Sequence, residues 1–167
     1  MKISLASDHA GFELKESIKN YLQEKDYLVQ DFGAINCDPI DYVDTGVLAA
    51  LSIANGNSEY GILICGTGQG MIMIANKVKG IRASLCHTTE FAKLARQHND
   101  ANVLVLAGRY LDKDIALEIV ETFINEPFSE EIRHKNRLEK IKKYEELQHG
   151  FKEQKESIPG FLRKYFN

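Results

Sequence analysis

Five short apolar segments that alternate with helical patterns constrain this chain more than any other feature of its sequence. Runs of apolar and β-branched residues predict strands over residues 2–7, 27–32, 61–65, 81–86 and 102–107. Apolar residues at helical spacing predict helices over residues 12–24, 44–55, 69–78, 88–97, 113–125 and about 129–148. The pattern predicts an α/β fold: a single-domain, three-layer α/β/α structure with a five-stranded parallel Rossmann-like sheet and a C-terminal helical extension.

The length of the chain suits one domain of this kind. Its 167 residues are typical of a single compact domain and leave little room for another. We predict a domain over residues 1–148 and a tail over residues 149–167, where Ile158-Pro159-Gly160 would break any helix. We expect the tail to be a structural arm or a partly ordered end.

Charge and hydropathy exclude several classes of function. The formal net charge is −3, from 21 basic and 24 acidic residues, which does not favour a nucleic-acid-binding protein. No apolar run approaches the ~18 residues of a membrane span, and the first residues lack the pattern of a signal peptide. We therefore expect a cytoplasmic protein that binds neither nucleic acid nor membranes.

The three cysteines, Cys37, Cys65 and Cys86, fit neither a zinc site nor a disulfide framework, because their number is odd and their spacing is wrong. Reduced thiols in a reducing compartment are the simplest interpretation. No cluster of metal ligands is visible in the sequence, so we expect no metal and no cofactor.

Polar and reactive residues cluster where the predicted strands end. Ligands of open parallel sheets bind outside the carboxyl ends of the strands. The first strand is followed by Asp8-His9-Ala10-Gly11, the third ends in Cys65-Gly66-Thr67-Gly68-Gln69-Gly70, and the fifth leads into Gly108-Arg109. The loop before the fifth strand carries His98-Asn99-Asp100, and we expect it to contribute to the same binding edge.

The glycine-rich run from Gly66 to Gly70 lies between a strand and a helix. Glycines let backbone N–H groups approach a ligand, and a helix N-terminus favours negative charge. The run lacks the glycine pattern of a dinucleotide site and the lysine of a P-loop. It predicts an anion or oxyanion cradle, although a tight structural turn would look the same.

Cys65 directly precedes this cradle. The positive end of a helix dipole favours the thiolate, which can act as a nucleophile or a general base. An inert buried cysteine at a strand end is the alternative. We interpret Cys86 and Cys37 as structural.

Basic residues complete the candidate site. Arg133 and Arg137 lie four residues apart, hence on one helix face, and two guanidinium groups suit a phosphate dianion. His9 and Arg109 follow strand ends and can reach the same ligand. Together with a base and an oxyanion cradle, these residues favour proton abstraction next to the carbonyl of a phosphorylated substrate.

At this point the sequence resembles the type B ribose-5-phosphate isomerases of the ribose/galactose isomerase superfamily. The likeness covers about residues 1–145 in consistent order. It is carried by Ser7-Asp8-His9-Ala10-Gly11, residues 61–71, Ala75-Asn76-Lys77, Gly80-Ile81-Arg82-Ala83, residues 96–104, and Arg133-His134 with Arg137.

The resemblance implies roles for the site residues in a pentose phosphate pathway enzyme. Cys65 would move a proton between C1 and C2, Thr67 and the amides of the cradle would hold the enediolate, and His98 would open the furanose ring. The sugar hydroxyls would contact Asp8, Tyr42 and Asn99, and the phosphate would contact His9, Arg109, Arg133 and Arg137. The cradle residues are Gly66, Gly68, Gln69 and Gly70. The resemblance also implies a homodimer with shared active sites, or a tetramer built from it, and a small sugar phosphate as substrate.

Three positions depart from the pattern of this group. Val43 stands where proline is usual, Glu131-Ile132 stand where two glycines are frequent, and Ile72 replaces a small polar residue. Two alternatives stay open. One is an isomerase of a hexose 6-phosphate, of the allose or galactose type, and the other is a non-catalytic sugar-phosphate sensor that has no need of Cys65 and His98.

Overall fold

A computed structural model describes residues 1–150 of the chain and confirms the α/β fold with a five-stranded parallel sheet. The strands are β1 (Lys2–Ser7), β2 (Leu28–Asp31), β3 (Tyr60–Cys65), β4 (Ala83–Leu85) and β5 (Val103–Ala107). The helices are α1 (Phe12–Glu24), α2 (Tyr42–Ala54), α3 (Gln69–Ala75), α4 (Thr89–Asn99), α5 (Lys113–Asn125) and α6 (Ile132–Gly150). A short 3₁₀ turn, His9–Gly11, joins β1 to α1.

The sheet has the strand order β2-β1-β3-β5-β4, and all its pairings are parallel. Alternate residues of each strand point to opposite faces. On one face Leu5, Ile64 and Leu106 pack in a core with residues of α1, α4 and α5. On the other face Leu63 and Cys65 pack in a core with residues of α2 and α3. The three-layer arrangement follows from this alternation, since each face buries its own set of apolar side chains.

By its internal contacts the chain divides into two compact units, Met1–Phe128 and a second that begins at Ser129. The first contains the whole sheet, and the second contains α6. The predicted boundary at residue 148 stays a prediction, because most of the tail lies outside the described residues. No helix of residues 1–150 is long and apolar enough to cross a membrane.

Several predicted bounds were wrong by two or three residues, for local reasons. α2 begins at Tyr42 rather than residue 44, because the carboxylate of Asp41 caps it by accepting from Val43 N–H at 2.8 Å. α6 begins at Ile132 rather than residue 129. The hydroxyl of Ser129 lies outside that helix, accepts from Glu131 N–H at 3.4 Å and is 2.7 Å from Nδ1 of His134.

A second group of errors concerns the segment between α3 and β4. α3 ends at Ala75 instead of residue 78, and the side chain of Asn76 bonds to both backbone groups of Ala83. β4 is shorter than the predicted 81–86, because the N–H of Arg82 donates to the side chain of Asn102 at 2.8 Å rather than to a strand.

A buried ionic cluster joins α1 to the end of β2. Nζ of Lys15, whose side chain is 1% exposed, lies 2.7 Å from Oδ2 of Asp31 and 2.8 Å from Oε1 of Glu16. Lys19 also reaches Asp31 at 2.7 Å, and the second carboxylate oxygen accepts from Gly33 N–H at 3.0 Å. Burial by itself would raise the pKa of Asp31, but bonds from the two ammonium groups and from Gly33 hold it below its ordinary value.

We expect Asp31→Asn to lower the free energy of unfolding at neutral pH by about 3 kcal/mol, since it leaves buried Lys15 without this partner. Because the pKa of Asp31 is lower when folded than unfolded, its stabilisation is present above about pH 4 and is lost as pH falls further. Urea unfolding from pH 7 to pH 3 should therefore show a shallower acid loss in this variant. Asp38→Asn, in an exposed loop, is the matched control, and an unchanged acid slope in Asp31→Asn would contradict the assignment.

Candidate active site

The connections that leave β1 and β3 run to opposite sides of the sheet. The chain passes from β1 to one side, to β2, and from β3 to the other side, to β4. A crevice forms at the carboxyl ends of two strands whose connections diverge in this way, and it is the usual ligand site of such sheets. Ser7 pairs with Ile64 and Cys65 pairs with Ala107, so the residues that follow β1, β3 and β5 emerge side by side.

The turn after β1 places Asp8 and His9 at this crevice. The N–H of Asp8 donates to the carbonyl of Ile64 at 3.2 Å, and its carboxylate accepts from Gly11 N–H at 3.0 Å. Nδ1 of His9 accepts from Ile40 N–H at 3.5 Å. A Cβ on Gly11 would stand 2.8 Å from the carbonyl oxygen of Ile64, so only glycine lets the turn lie this close to β3.

The glycine-rich loop follows β3 and leads into α3, as the sequence predicts. Gly68 has φ +78°, and a Cβ there would collide with the side chain of Leu85. The ring of Tyr42 lies against Gly70, where a Cβ would be 2.8 Å from ring atoms. Thr67 is exposed at the tip of the loop, and its hydroxyl accepts from Gln69 N–H at 3.4 Å. Tyr42, distant in sequence, therefore lies beside the loop.

Arg109 lies over the first glycine of this loop. Its N–H donates to the carbonyl of Gly66 at 3.1 Å, and the preceding N–H of Gly108 donates to the carbonyl of Cys65 at 2.8 Å. Side-chain atoms of Arg109 stand 3.4–3.5 Å from the Cβ position of Gly66. A guanidinium group thus lies next to the cradle, where it favours an anion.

His98 and Asn99 do not belong to this edge, and the expectation that they would was wrong. They form the last turn of α4 rather than a loop, and a helix that precedes a parallel strand ends near the amino end of that strand. The contacts agree: Asn102 accepts from Gly61 N–H, and Arg96 donates to Tyr60 Oη, both at the start of β3.

The arginines of the second unit lie on α6. Arg133 and Arg137 are both exposed, four residues apart on that helix, and Nε of Arg133 donates to Glu131 at 2.7 Å.

Sequence reasoning missed the residues that hold the crevice in shape. The carbonyl of Ser7 accepts from the Thr45 hydroxyl at 2.9 Å and from Ala34 N–H at 2.8 Å. Gly108 would place a Cβ 3.0 Å from the Cα of Gly11. Nothing local in the sequence signals these contacts, because each joins segments far apart in the chain.

A family model described as Ribose/Galactose Isomerase matches residues 3–141 of the chain. The chain belongs to the ribose/galactose isomerase family. Ribose-5-phosphate isomerase B of Escherichia coli is 41% identical over 140 residues, covering 84% of this chain and 93% of the relative. A 4-deoxy-4-sulfo-D-erythrose isomerase of a Clostridium species is 39% identical over 133 residues, covering 79% and 84%.

A solved structure shows the same fold with a ligand. Ribose-5-phosphate isomerase B of Mycoplasma genitalium, with bound ribulose 5-phosphate, superimposes with a TM-score of 0.82 at 41% identity and covers 87% of this chain and 96% of its own. The family thus includes a protein that holds a sugar phosphate on this fold.

The three thiols of this ribose/galactose isomerase family member have different surroundings. Cys65 is 4% exposed and lies in the core under α2 and α3, directly before the cradle. Burial raises the pKa of Cys86 to about 11, against a smaller lowering by a bond to Ser84. Cys37 is exposed. Because the thiolate is the reactive form, Cys86 is unsuited to chemistry near neutral pH.

In a Cys37→Ser background at pH 8, we expect iodoacetamide to alkylate Cys86 at least ~100-fold more slowly in the folded than in the urea-unfolded protein, since a thiol of pKa about 11 is almost entirely protonated there. Its rate should rise about tenfold per pH unit up to pH 10. Peptide mass spectrometry of timed samples gives both rates. Equal rates in the folded and the unfolded protein would show that the burial of Cys86 does not protect it.

Proposed function

We propose that this chain is an aldose–ketose isomerase that interconverts D-ribose 5-phosphate and D-ribulose 5-phosphate. The observation that carries the proposal is the position of Cys65 at the end of β3, directly before a glycine cradle and beside Asp8 and His9. Family membership and relatives named ribose-5-phosphate isomerase B support the substrate. Because such a substrate is phosphorylated and metabolic, the pentose phosphate pathway and a cytoplasmic location belong to the same proposal.

The proposed chemistry is a proton transfer between adjacent carbons. Cys65, as thiolate, removes the proton from C2 of the open-chain aldose, and the C1 carbonyl oxygen takes up the negative charge. The proton of the C2 hydroxyl then passes to the C1 oxygen, and Cys65 returns its proton to C1, which leaves the carbonyl at C2. Backbone N–H groups of Gly66, Gly68 and Gly70, together with Thr67, stabilise the enediolate oxygens. A fixed loop of this kind needs no reorganisation as the charge develops.

Substrate binding is assigned to the polar groups around the cradle. Asp8 and Tyr42 flank the loop and contact sugar hydroxyls in this proposal, and Gln69 begins the helix behind it. His9 and Arg109 bind the phosphate, and the expectation that Arg133 and Arg137 give two more guanidinium groups to it stays a prediction. A relative named for a sulfo sugar rather than a sugar phosphate supports an anion-binding role for these basic groups.

The position of His98 and Asn99 favours a site that is completed by a second copy of the chain. β3 has six residues, so its ends are separated by about 16 Å, and the ring-opening imidazole lies near the wrong end to serve Cys65 of its own chain. We infer a homodimer in which each copy gives His98 and Asn99 to the site of the other, whether or not dimers pair further into a tetramer.

The surface of α4 supports this inference. Phe91, Leu94 and His98 lie three and four residues apart, hence along one face of the helix. Phe91 is 58% and Leu94 is 37% exposed, which is unusual for large apolar side chains along a single stripe. A second copy packed on this face would bury both residues and bring His98 to its surface.

The first test is formation of ribulose 5-phosphate from ribose 5-phosphate in excess chelator, with Cys65→Ala beside the native protein. We expect turnover in the native protein and a loss of at least ~1,000-fold in kcat for the variant, because the base is removed. Cys86→Ala is the matched control and should retain activity. An active Cys65→Ala enzyme would rule out Cys65 as the base. An inactive native protein would direct attention to hexose 6-phosphates, and binding without turnover would favour a sensor.

Mixing two variants that are each impaired on ring-closed ribose 5-phosphate tests the shared site. Cys65→Ala and His98→Ala homodimers each lack one group in both sites. Subunit exchange should produce heterodimers in which one site lacks both groups and the other is intact. We expect activity to rise to about one quarter of the native value, since about half of the dimers are mixed and half of their sites are complete. A mixture that stays inactive after verified exchange would place His98 and Cys65 in sites of the same chain.

A further inference from the structure

The last turn of α4 ends in an unusual residue that holds two arginines. Asp100 caps the helix in the left-handed conformation, with φ 44°. Its Oδ1 accepts from Arg96 at 2.7 Å and its Oδ2 accepts from Arg82 at 2.8 Å. Each carboxylate oxygen of Asp100 therefore has its own guanidinium partner. Asp100 directly follows His98 and Asn99 in the chain.

The two arginines contribute differently. Arg96 is 4% exposed, stacks on Tyr60 and Phe123, and also donates to the carbonyl of Ala101 at 2.7 Å. It belongs to the core, and the fold depends on it. Arg82 has a side chain that is 28% exposed, so the core does not require it to the same degree.

Arg82 instead forms hydrogen bonds with the backbone that follows His98. Its Nε donates to the carbonyl of Asn99 at 3.1 Å and to the carbonyl of Asp100 at 2.8 Å. These carbonyls lie at the C-terminal end of α4, where a cation is favoured by the helix dipole. The guanidinium group of Arg82 thus bonds both to the side chain of Asp100 and to backbone carbonyls at the end of α4.

The backbone of Arg82 is itself bonded to Asn102, next to the sheet. The N–H of Arg82 donates to Oδ1 of Asn102 at 2.8 Å, and Nδ2 of Asn102 donates to the carbonyl of Gly80 at 2.9 Å. The N–H of Asn102 returns to the carbonyl of Arg82 at 3.1 Å. Because Asn102 immediately precedes β5, Arg82 ties the end of α4 to the rigid edge of the sheet.

We propose that Arg82 and Asp100 are positioning residues that fix the last turn of α4, and thereby aim His98 and Asn99 at the active site of a second copy. The inference rests on the proposed function of His98 as the ring-opening group. An exposed ion pair alone would contribute little, but a misplacement of about 1 Å in a catalytic group can cost ~100-fold in rate.

The experiment compares Arg82→Ala and Arg82→Lys with a control, Lys25→Ala, which removes an exposed ion pair with Glu121. We expect Arg82→Ala to lower kcat for ribose 5-phosphate by ~10- to 100-fold, with KM changed less than about threefold. Arg82→Lys should recover part of the rate, because an ammonium group can pair with Asp100 but lacks the planar fork that reaches two carbonyls. Lys25→Ala should behave as the native enzyme.

A second kinetic readout separates poor positioning of His98 from general damage. When ring opening fails, the enzyme uses only the aldose that opens unaided in water, so the rate from ribose 5-phosphate stops rising in proportion to enzyme concentration. Ribulose 5-phosphate cannot form a furanose ring, because its C5 oxygen is esterified, so the initial rate from it stays proportional. We expect Arg82→Ala and His98→Ala to share this behaviour, whereas a merely destabilised enzyme would give proportional rates from both substrates.

A structural readout keeps the inference testable apart from activity. In proton NMR, the ring signal of His98 should move in Arg82→Ala, while that of exposed His87 stays as in the native protein. An inactive native protein would reject the isomerase proposal, and the His98 signal would still decide whether Arg82 fixes the turn. Native kcat together with an unmoved His98 signal in Arg82→Ala would overturn the inference, as would proportional rates accompanied by signal changes across the whole chain.

Discussion

Parallel pairing of β1 with β3, and of β3 with β5, is the constraint on which the rest of the structure depends. It brings the segments after Ser7, Cys65 and Ala107 to one edge, and their backbones then approach so closely that Gly11 and Gly108 leave no space for a Cβ. The strand pairing therefore brings together Asp8 and His9 after β1, Cys65 and the cradle at the end of β3, and Arg109 after β5. Loops can carry reactive groups reliably when the scaffold below them is rigid.

The same pairing separates the other half of the proposed machinery. A helix that leads into β5 must end near the opposite edge, so His98 and Asn99 cannot join Cys65 of their own chain. In the proposed homodimer, each chain would supply His98 and Asn99 to the site of the other. Association would then cover the exposed apolar side chains of Phe91 and Leu94. Precision at the end of α4 then depends on Arg82 and Asp100, which tie it to the sheet.

The electrostatics of the molecule divide between scaffold and site. The buried charges of Lys15 and Arg96 are paired by several short bonds, as charges with little water around them must be. The proposed phosphate ligands Arg109, Arg133 and Arg137 are exposed instead. Cys86 is kept protonated by burial, so the different surroundings of the thiols separate an inert cysteine from the proposed base.

The sequence by itself determined the alternation of strands and helices, the α/β class, and the polar groups after β1, β3 and β5, because periodicity and glycine placement are local signals. It also indicated the family, through motifs such as the run from Gly66 to Gly70. Only the tertiary structure decided the strand order, the contact of Tyr42 with Gly70, and the place of His98 at the far edge. Those depend on which segments pair across long stretches of chain, and the physical reason is that a residue's distance from a site is set by the register and direction of whole strands rather than by its neighbours in sequence.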